Sequence, residues 1–208
     1  MWHQVFIQDR PLIFVPVYKA DILPGKHAFE IVSAEDMSIE KAIGRLEKKY
    51  AQGIYYLCNQ PDPCWKECVS YFTLIEASGG LVENDKEEYL MIFRKGKWDM
   101  PKGKVEYDES PDAAATREVE EECGIDELLI TEKLKPTFHT YTEKGKKLLK
   151  KTNWYLMTTS ATQKPVPQTE EDISEVIWMT KEMIVQKVMP NTYASIAGLL
   201  SEFFDLNS

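Results

Sequence analysis

Long apolar runs are missing from this 208-residue chain: the longest, such as Leu12 to Val17, fall far short of the roughly 20 residues needed to cross a bilayer. A membrane-spanning protein is therefore excluded at the level of sequence. Met1 to Arg10 also lacks a basic start, an apolar stretch and a small-residue cleavage site, so no signal peptide is read and a cytoplasmic location is expected. Cysteine is scarce. Cys58, Cys64, Cys68 and Cys123 are too few and too unevenly spaced for a disulfide-stapled scaffold. No C-x-x-C pair forms, and His27 lies 31 residues before Cys58, so reduced thiols are expected in place of a zinc site. Positive charge is in deficit as well: 25 Lys and Arg against 34 Asp and Glu leave a formal net charge of −9. Such a balance argues against a broad nucleic-acid footprint. A polyanionic ligand would then need local cations, from metal ions or a basic loop. Neither a Gly-x-Ser-x-Gly elbow nor a Gly-x-x-x-x-Gly-Lys phosphate loop occurs, so serine-hydrolase and kinase readings lack support.

What is present suits a globular protein: 43% hydrophobic and 28% charged residues, enough for one domain with an extension or for two small ones. Residues 1 to 65 read as a small α+β extension. Strands are expected over Gln4 to Asp9 and Pro11 to Tyr18, and a turn at Leu23-Pro24-Gly25. Ser38 should start a helix through Tyr50 that Gly53 ends, with Ile39, Ala42, Ile43 and Leu46 on one face. A strand at Ile54 to Cys58 precedes Asn59-Gln60-Pro61-Asp62-Pro63, which has the composition of a linker.

Residues 70 to 205 read as the main domain, a mixed sheet with helices on its faces. Strands are expected at Tyr71 to Ser78 and Glu88 to Arg94, separated by Gly79-Gly80 and a polar turn. Further strands fall at Leu128 to Leu134, Thr137 to Thr142, Thr152 to Thr159 and Val176 to Met179, and helices from Thr180 and over Tyr193 to Phe204.

Ser110 as N-cap, Pro111 in the first turn and Gly124 beyond the end frame a helix over Pro111 to Cys123. Its Glu118, Glu121 and Glu122, three and four residues apart, share a face. Glu120, Glu121 and Glu122 also occupy the last turn, where the negative end of the helix dipole disfavours anions by about 0.3–1 kcal/mol each. Arg117 is the single cation within the helix and cannot neutralise the group. Taken alone, the glutamates would read as a solvated acidic face; as a site, their hard oxygens suit Mg²⁺ or Mn²⁺.

They are embedded in a longer pattern. From Gly103 the chain gives five residues, Glu109, seven residues, Arg117-Glu118-Val119, one residue, Glu121-Glu122, one residue and Gly124-Ile125. This resembles, at all nine fixed positions over 23 residues, the signature of the Nudix hydrolase family. The approach Trp98-Asp99-Met100-Pro101-Lys102 is also similar to many members. The resemblance implies an α/β/α sandwich with a mixed sheet over residues 70 to 205 and leaves the role of 1 to 65 unexplained. It implies metal ligation by Glu118, Glu121, Glu122 and the Lys102 backbone carbonyl, with Arg117 pairing Glu109 and orienting Glu121. The implied reaction is hydrolysis of a phosphoanhydride bond in a nucleotide, a dinucleoside polyphosphate or a diphosphoinositol polyphosphate, assisted by Mg²⁺ or Mn²⁺. Relatives take the general base either from this helix or from a distant loop. Glu121 is the first choice here, and Glu170, Glu171 and Glu175 stand as outside candidates.

Specificity is expected from elsewhere. Lys102 could reach a phosphate or be an exposed loop lysine. Glu143 to Lys151 places Lys144, Lys146, Lys147, Lys150 and Lys151 in a hairpin loop, either a solvated turn or a grip on a polyphosphate chain. Trp98, His139, Tyr141, Trp154 and Tyr155 could stack on a base or fill the core. The alternatives to an enzyme are a nucleotide-sensing or regulatory module and, compatible with either, a scaffold that dimerises through its N-terminal strands.

Overall fold

The structure, a computed structural model, describes residues 2–24, 27–160 and 163–206. In chain order the elements are β1 (His3–Ile7), β2 (Arg10–Pro16), a 3₁₀ segment (Val17–Ile22), β3 (Glu30–Ser33), α1 (Ile39–Glu47), β4 (Ile54–Cys58) and α2 (Pro61–Ser70). There follow β5 (Thr73–Asn84), β6 (Tyr89–Arg94), β7 (Lys97–Asp99), β8 (Lys102–Lys104), α3 (Pro111–Cys123), β9 (Leu129–Lys133), β10 (Thr137–Glu143), β11 (Lys146–Thr159) and β12 (Ile173–Met179). The chain ends with α4 (Lys181–Met183), continuing as a π turn (Ile184–Val188) and a 3₁₀ turn (Met189–Asn191), and α5 (Ala194–Phe203). No described helix is long and apolar enough to cross a membrane.

By internal packing the chain divides into two compact units, one of residues 1–75 with 138–150 and one of residues 76–137 with 151–208. In the first, the strand order is β10-β1-β2-β4-β3, with β1 parallel to β10, β2 antiparallel to β1, and β4 parallel to both β2 and β3. Ser38 caps α1 by accepting from the Lys41 N–H, and Ile39, Ala42, Ile43 and Leu46 are its buried face, as their spacing requires. They pack with Val5, Ile7, Leu12 and Phe14 of the strands.

Two expectations need correction here. α1 closes at Glu47, not Tyr50: Lys49 takes φ 61° and the Tyr50 N–H turns back to the Arg45 carbonyl, so Gly53 lies beyond the stop. Asn59 to Pro63 is no linker. Pro61 opens α2 at its first position, where a missing N–H costs nothing because first-turn amides have no helical partner. Trp65 then fastens α2 to the core, edge-on to Phe14 at 6.1 Å and to Phe138 at 4.8 Å. The expected turn at Leu23-Pro24-Gly25 runs outside the described residues.

The second unit is an α/β/α sandwich built on alternation. Leu81, Tyr89, Met91 and Trp154 pack against Ile196, Leu199 and Leu200 of α5, whereas Val82, Leu90, Ile92, Tyr155 and Met157 pack against Ala115, Val119 and Cys123 of α3. Successive strand side chains point to opposite faces, so α3 and α5 lie on opposite sides of the sheet. Gly79-Gly80 does not break the strand, contrary to expectation; β5 runs through it. A Cβ on Gly79 would fall on the Pro101 carbonyl, and one on Gly80 would come within 3.0 Å of Val119 Cγ2. Glycine is used there for close approach, not for a turn. This contact places β8 and α3 against the same stretch of β5.

Candidate active site

The helix α3 has the ends its sequence indicates: the Ser110 hydroxyl accepts from the Ala113 N–H, and Gly124 adopts the left-handed conformation, φ 62°. A side chain at 124 would also press on Val166 at 3.0 Å. Ala115, Val119 and Cys123 form the buried stripe. Glu122 falls at the edge of that stripe and is 2% exposed. Glu118 and Glu121 turn progressively outward, with 14% and 52% of their side chains exposed.

Each carboxylate is held. Arg117 donates from Nε and Nη2 to the two oxygens of Glu109, both at 2.9 Å, and from Nη1 to Glu118 at 2.8 Å and Glu121 at 3.0 Å. It also reaches the Lys104 carbonyl at 3.0 Å, which ties β8 to the helix. Glu109 in turn accepts from the Glu106 N–H, and these bonds, Arg117 first, hold its carboxyl down at about 2. Glu122 accepts from the Lys102 N–H at 2.8 Å and from Arg94 at 3.3 Å. Burial nevertheless pushes Glu122 up to about 7 against the pull of Lys102 and Arg94. Burial likewise raises Glu118, with Arg117 opposing and the charges of Glu121 and Glu171 adding to the rise.

Opposite this face stands β8, where Gly103 pairs with Ser78 of β5. A Cβ on Gly103 would fall on the Glu118 carboxylate, so only glycine admits that carboxylate here. The carbonyls ending α3 are taken up by a returning segment: Val166 N–H donates to Cys123 at 2.8 Å and Gln168 N–H to Glu122 at 3.1 Å. The next turn carries Glu171, whose carboxylate pairs with Arg94 at 2.8 Å.

A sequence model of the family described as NUDIX domain matches residues 73–199. The chain belongs to the Nudix family. As a Nudix hydrolase it is a pyrophosphohydrolase. The fold agrees with solved Nudix structures. A MutT protein from Methanosarcina mazei Go1 is 23% identical with a TM-score of 0.51, over 66% of this chain and 97% of that one. A Nudix hydrolase from M. smegmatis, RenU, is 15% identical with a TM-score of 0.50, over 65% and 88%.

Nudix hydrolases generally use divalent metal ions, and the donor chemistry here fits one. Six carboxylates (Asp99, Glu109, Glu118, Glu121, Glu122, Glu171) share three cations (Arg94, Lys102, Arg117), a formal excess of three negative charges on hard oxygens when all are ionised. Among the described residues no three ligand side chains converge on one point; the carboxylates are turned toward Arg117, Arg94 and Lys102.

The structure gathers Glu118, Glu121, Glu122, Arg117, Glu109 and Lys102 in this Nudix site, but the Lys102 ammonium points inward. It pairs with buried Asp99 and lies 3.5 Å from the Met100 carbonyl. Burial disfavours its charge, yet Asp99 and Glu122 keep its pKa above the ordinary lysine value. The expected five-lysine loop is also shorter than its composition suggested. Only Lys144 and Gly145 form the turn, both with positive φ (49° and 78°), and Lys146 onward is strand. In the first unit, Lys147 pairs with Glu47 at 2.6 Å and Lys150 lies 5.4 Å from the centre of the Tyr141 ring. Lys151, in the second, pairs with Glu76 at 2.9 Å.

Of the aromatic candidates, Trp154 is core, 0% exposed, with its indole N–H on Thr137, and Tyr155 is buried beside α3. Trp98 packs edge-on to Phe93 at 4.9 Å. His139 and Tyr141 neighbour one another at 6.0 Å in the first unit. The three outside glutamates are all exposed, and Glu171 pairs with the site's Arg94. Arg94 was not singled out from sequence. Lying outside the motif at the end of a strand, it carried no local signal beyond its charge.

Proposed function

We propose that the protein is a divalent-metal-dependent hydrolase of a phosphoanhydride bond in a nucleotide, a dinucleoside polyphosphate or a diphosphoinositol polyphosphate. The observation that carries this reading is the carboxylate face of α3, locked by Arg117 and bearing more negative charge than its own cations neutralise. Glu118, Glu121, Glu122 and the Lys102 carbonyl would hold Mg²⁺ or Mn²⁺. The ion supplies charge neutralisation of the phosphates and acidification of water. Glu121, the most exposed of the three, takes the proton as water attacks phosphorus; the bridging P–O bond breaks and two phosphorylated fragments leave. Arg117 fixes the orientations of Glu118 and Glu121 through bonds it makes to both, and Glu109 holds Arg117 in turn.

The test is product release from nucleoside triphosphates, dinucleoside polyphosphates, ADP-ribose and diphosphoinositol polyphosphates, each with Mg²⁺ and with Mn²⁺. Metal-dependent turnover of at least one is expected, and EDTA should abolish it. Binding of a member without turnover of any would favour the sensing module instead. The lysine strand is tested separately. Lys146 and Lys150 of β11 are replaced together. Replacing both by glutamine should raise KM for a long polyphosphate about tenfold if they bind phosphate. An unchanged KM removes them from the substrate-binding set.

A further inference from the structure

Arg94 closes β6, outside the Gly103–Ile125 motif, and its guanidinium reaches two carboxylates that arrive from different parts of the chain. Nη1 lies 3.3 Å from Glu122 Oε1 at the end of α3, and Nη2 lies 2.8 Å from Glu171 Oε2. Glu171 ends the 3₁₀ turn Thr169–Glu171, which follows the segment bonded through Val166 and Gln168 to the last carbonyls of α3. Beside it Lys95 pairs with Asp172 at 3.4 Å. Two backbone bonds tie this segment to the end of α3, and the Arg94 pair is a third tie, made through the Glu171 side chain, which is 52% exposed. The Arg94 pair brings that carboxylate onto the same guanidinium that Glu122 of α3 accepts from.

We propose that Arg94 is a positioning residue that holds the Glu171 carboxylate against the acidic face of α3, adding a further acidic group to the active site. A planar, two-armed guanidinium can bridge two carboxylates at fixed separation, which a single ammonium cannot. The use of Glu171 in turnover rests on the proposed function; the bridge itself does not.

The test compares Arg94→Gln, Arg94→Lys, Glu171→Gln and the double variant Arg94→Gln/Glu171→Gln. Glu171 is exposed, so its replacement probes the bridge without emptying a buried site. In metal-free protein, amide exchange at Gln168 should quicken at least about tenfold in Arg94→Gln and in Glu171→Gln alike, with Val119 unchanged, because one local opening is being released. With the best substrate, Arg94→Gln should lower kcat about a hundred-fold by misplacing Glu171, with KM within about twofold. Arg94→Lys should recover part of the loss. The double variant should be no worse than the worse single one, since both act through one contact. Wild-type exchange at Gln168 in both single variants, or kcat losses that multiply in the double, would overturn the proposal. Should no substrate be turned over, the functional reading fails, while the exchange comparison still decides the bridge.

Discussion

Glu121→Gln is expected to lower kcat roughly 10³-fold, the scale of losing a general base, while leaving the melting temperature within about 2 °C of wild type. The two halves of this expectation come from different physics. Glu121 is the most exposed of the three motif carboxylates, and in the proposed mechanism losing its charge would remove both a metal donor and the proton acceptor. Its structural worth is small. The pair with Arg117 is half exposed, and such pairs stabilise by about 0.2–1 kcal/mol. Against this, removing an anion from the last turn of α3 returns about 0.3–1 kcal/mol through the helix dipole. The terms nearly cancel. Thermal melting and steady-state kinetics on one preparation would check both. A variant that melts normally and still turns over at more than about a tenth of the wild-type rate would move the base elsewhere, with Glu171 next in line. Glu122→Gln is less clean, because Glu122 is buried beneath Arg94 and the Lys102 N–H, and a stability loss would obscure the chemistry.

The same contrast between local and distant constraints explains what could be read in the sequence. The ends of α3 and the buried face of α1 were legible because caps and helical spacing are properties of neighbouring residues: Ser110, Gly124, and the set Ile39, Ala42, Ile43 and Leu46. The misreadings share a cause. Gly79-Gly80 resembled a break and Pro61-Asp62-Pro63 a linker, because glycine and proline punctuate chains on average. In this fold Gly79 admits the Pro101 carbonyl, and Pro61 sits where a helix tolerates it. Neither reason is visible without the partner.

Pairings over long separations were out of reach for the same reason. The parallel register of Phe6 with His139 places residues 138–150 among the strands of the first unit. Arg94 reaches across to Glu122 and Glu171, and Lys102 spends its charge on Asp99 three residues away, not on a ligand. The motif gave the α3 carboxylates and Arg117, which holds two of them; it gave neither Arg94 nor the inward pairing of Lys102 with Asp99.

Gly103→Ala is the second large effect expected, and it separates the motif glycine from ordinary glycines. Gly103 sits on β8 opposite Ser78, with the Glu118 carboxylate where a Cβ would go. One relief is for β8 to move. That would strain the Lys102 N–H bond to Glu122 and the Arg117 bond to the Lys104 carbonyl, and β8 is already pressed on Gly79. The other relief is for Glu118 to swing away, giving up its Arg117 partner and the position a ligand role demands. Either route damages the site. Overpacking of this kind costs about 1–3 kcal/mol, or a melting temperature lower by about 2–10 °C at this chain length, and the displaced carboxylate should reduce kcat about a hundred-fold or more. Gly44→Ala supplies the comparison, because a Cβ there meets nothing within 4 Å inside α1, and alanine should stabilise by about 0.5–1 kcal/mol. The same added methyl group should therefore act with opposite signs at the two positions. A Gly103→Ala protein with wild-type kcat and melting temperature would mean that Glu118 does not occupy this place in solution, and with it the assignment of Glu118 to the active site would fall.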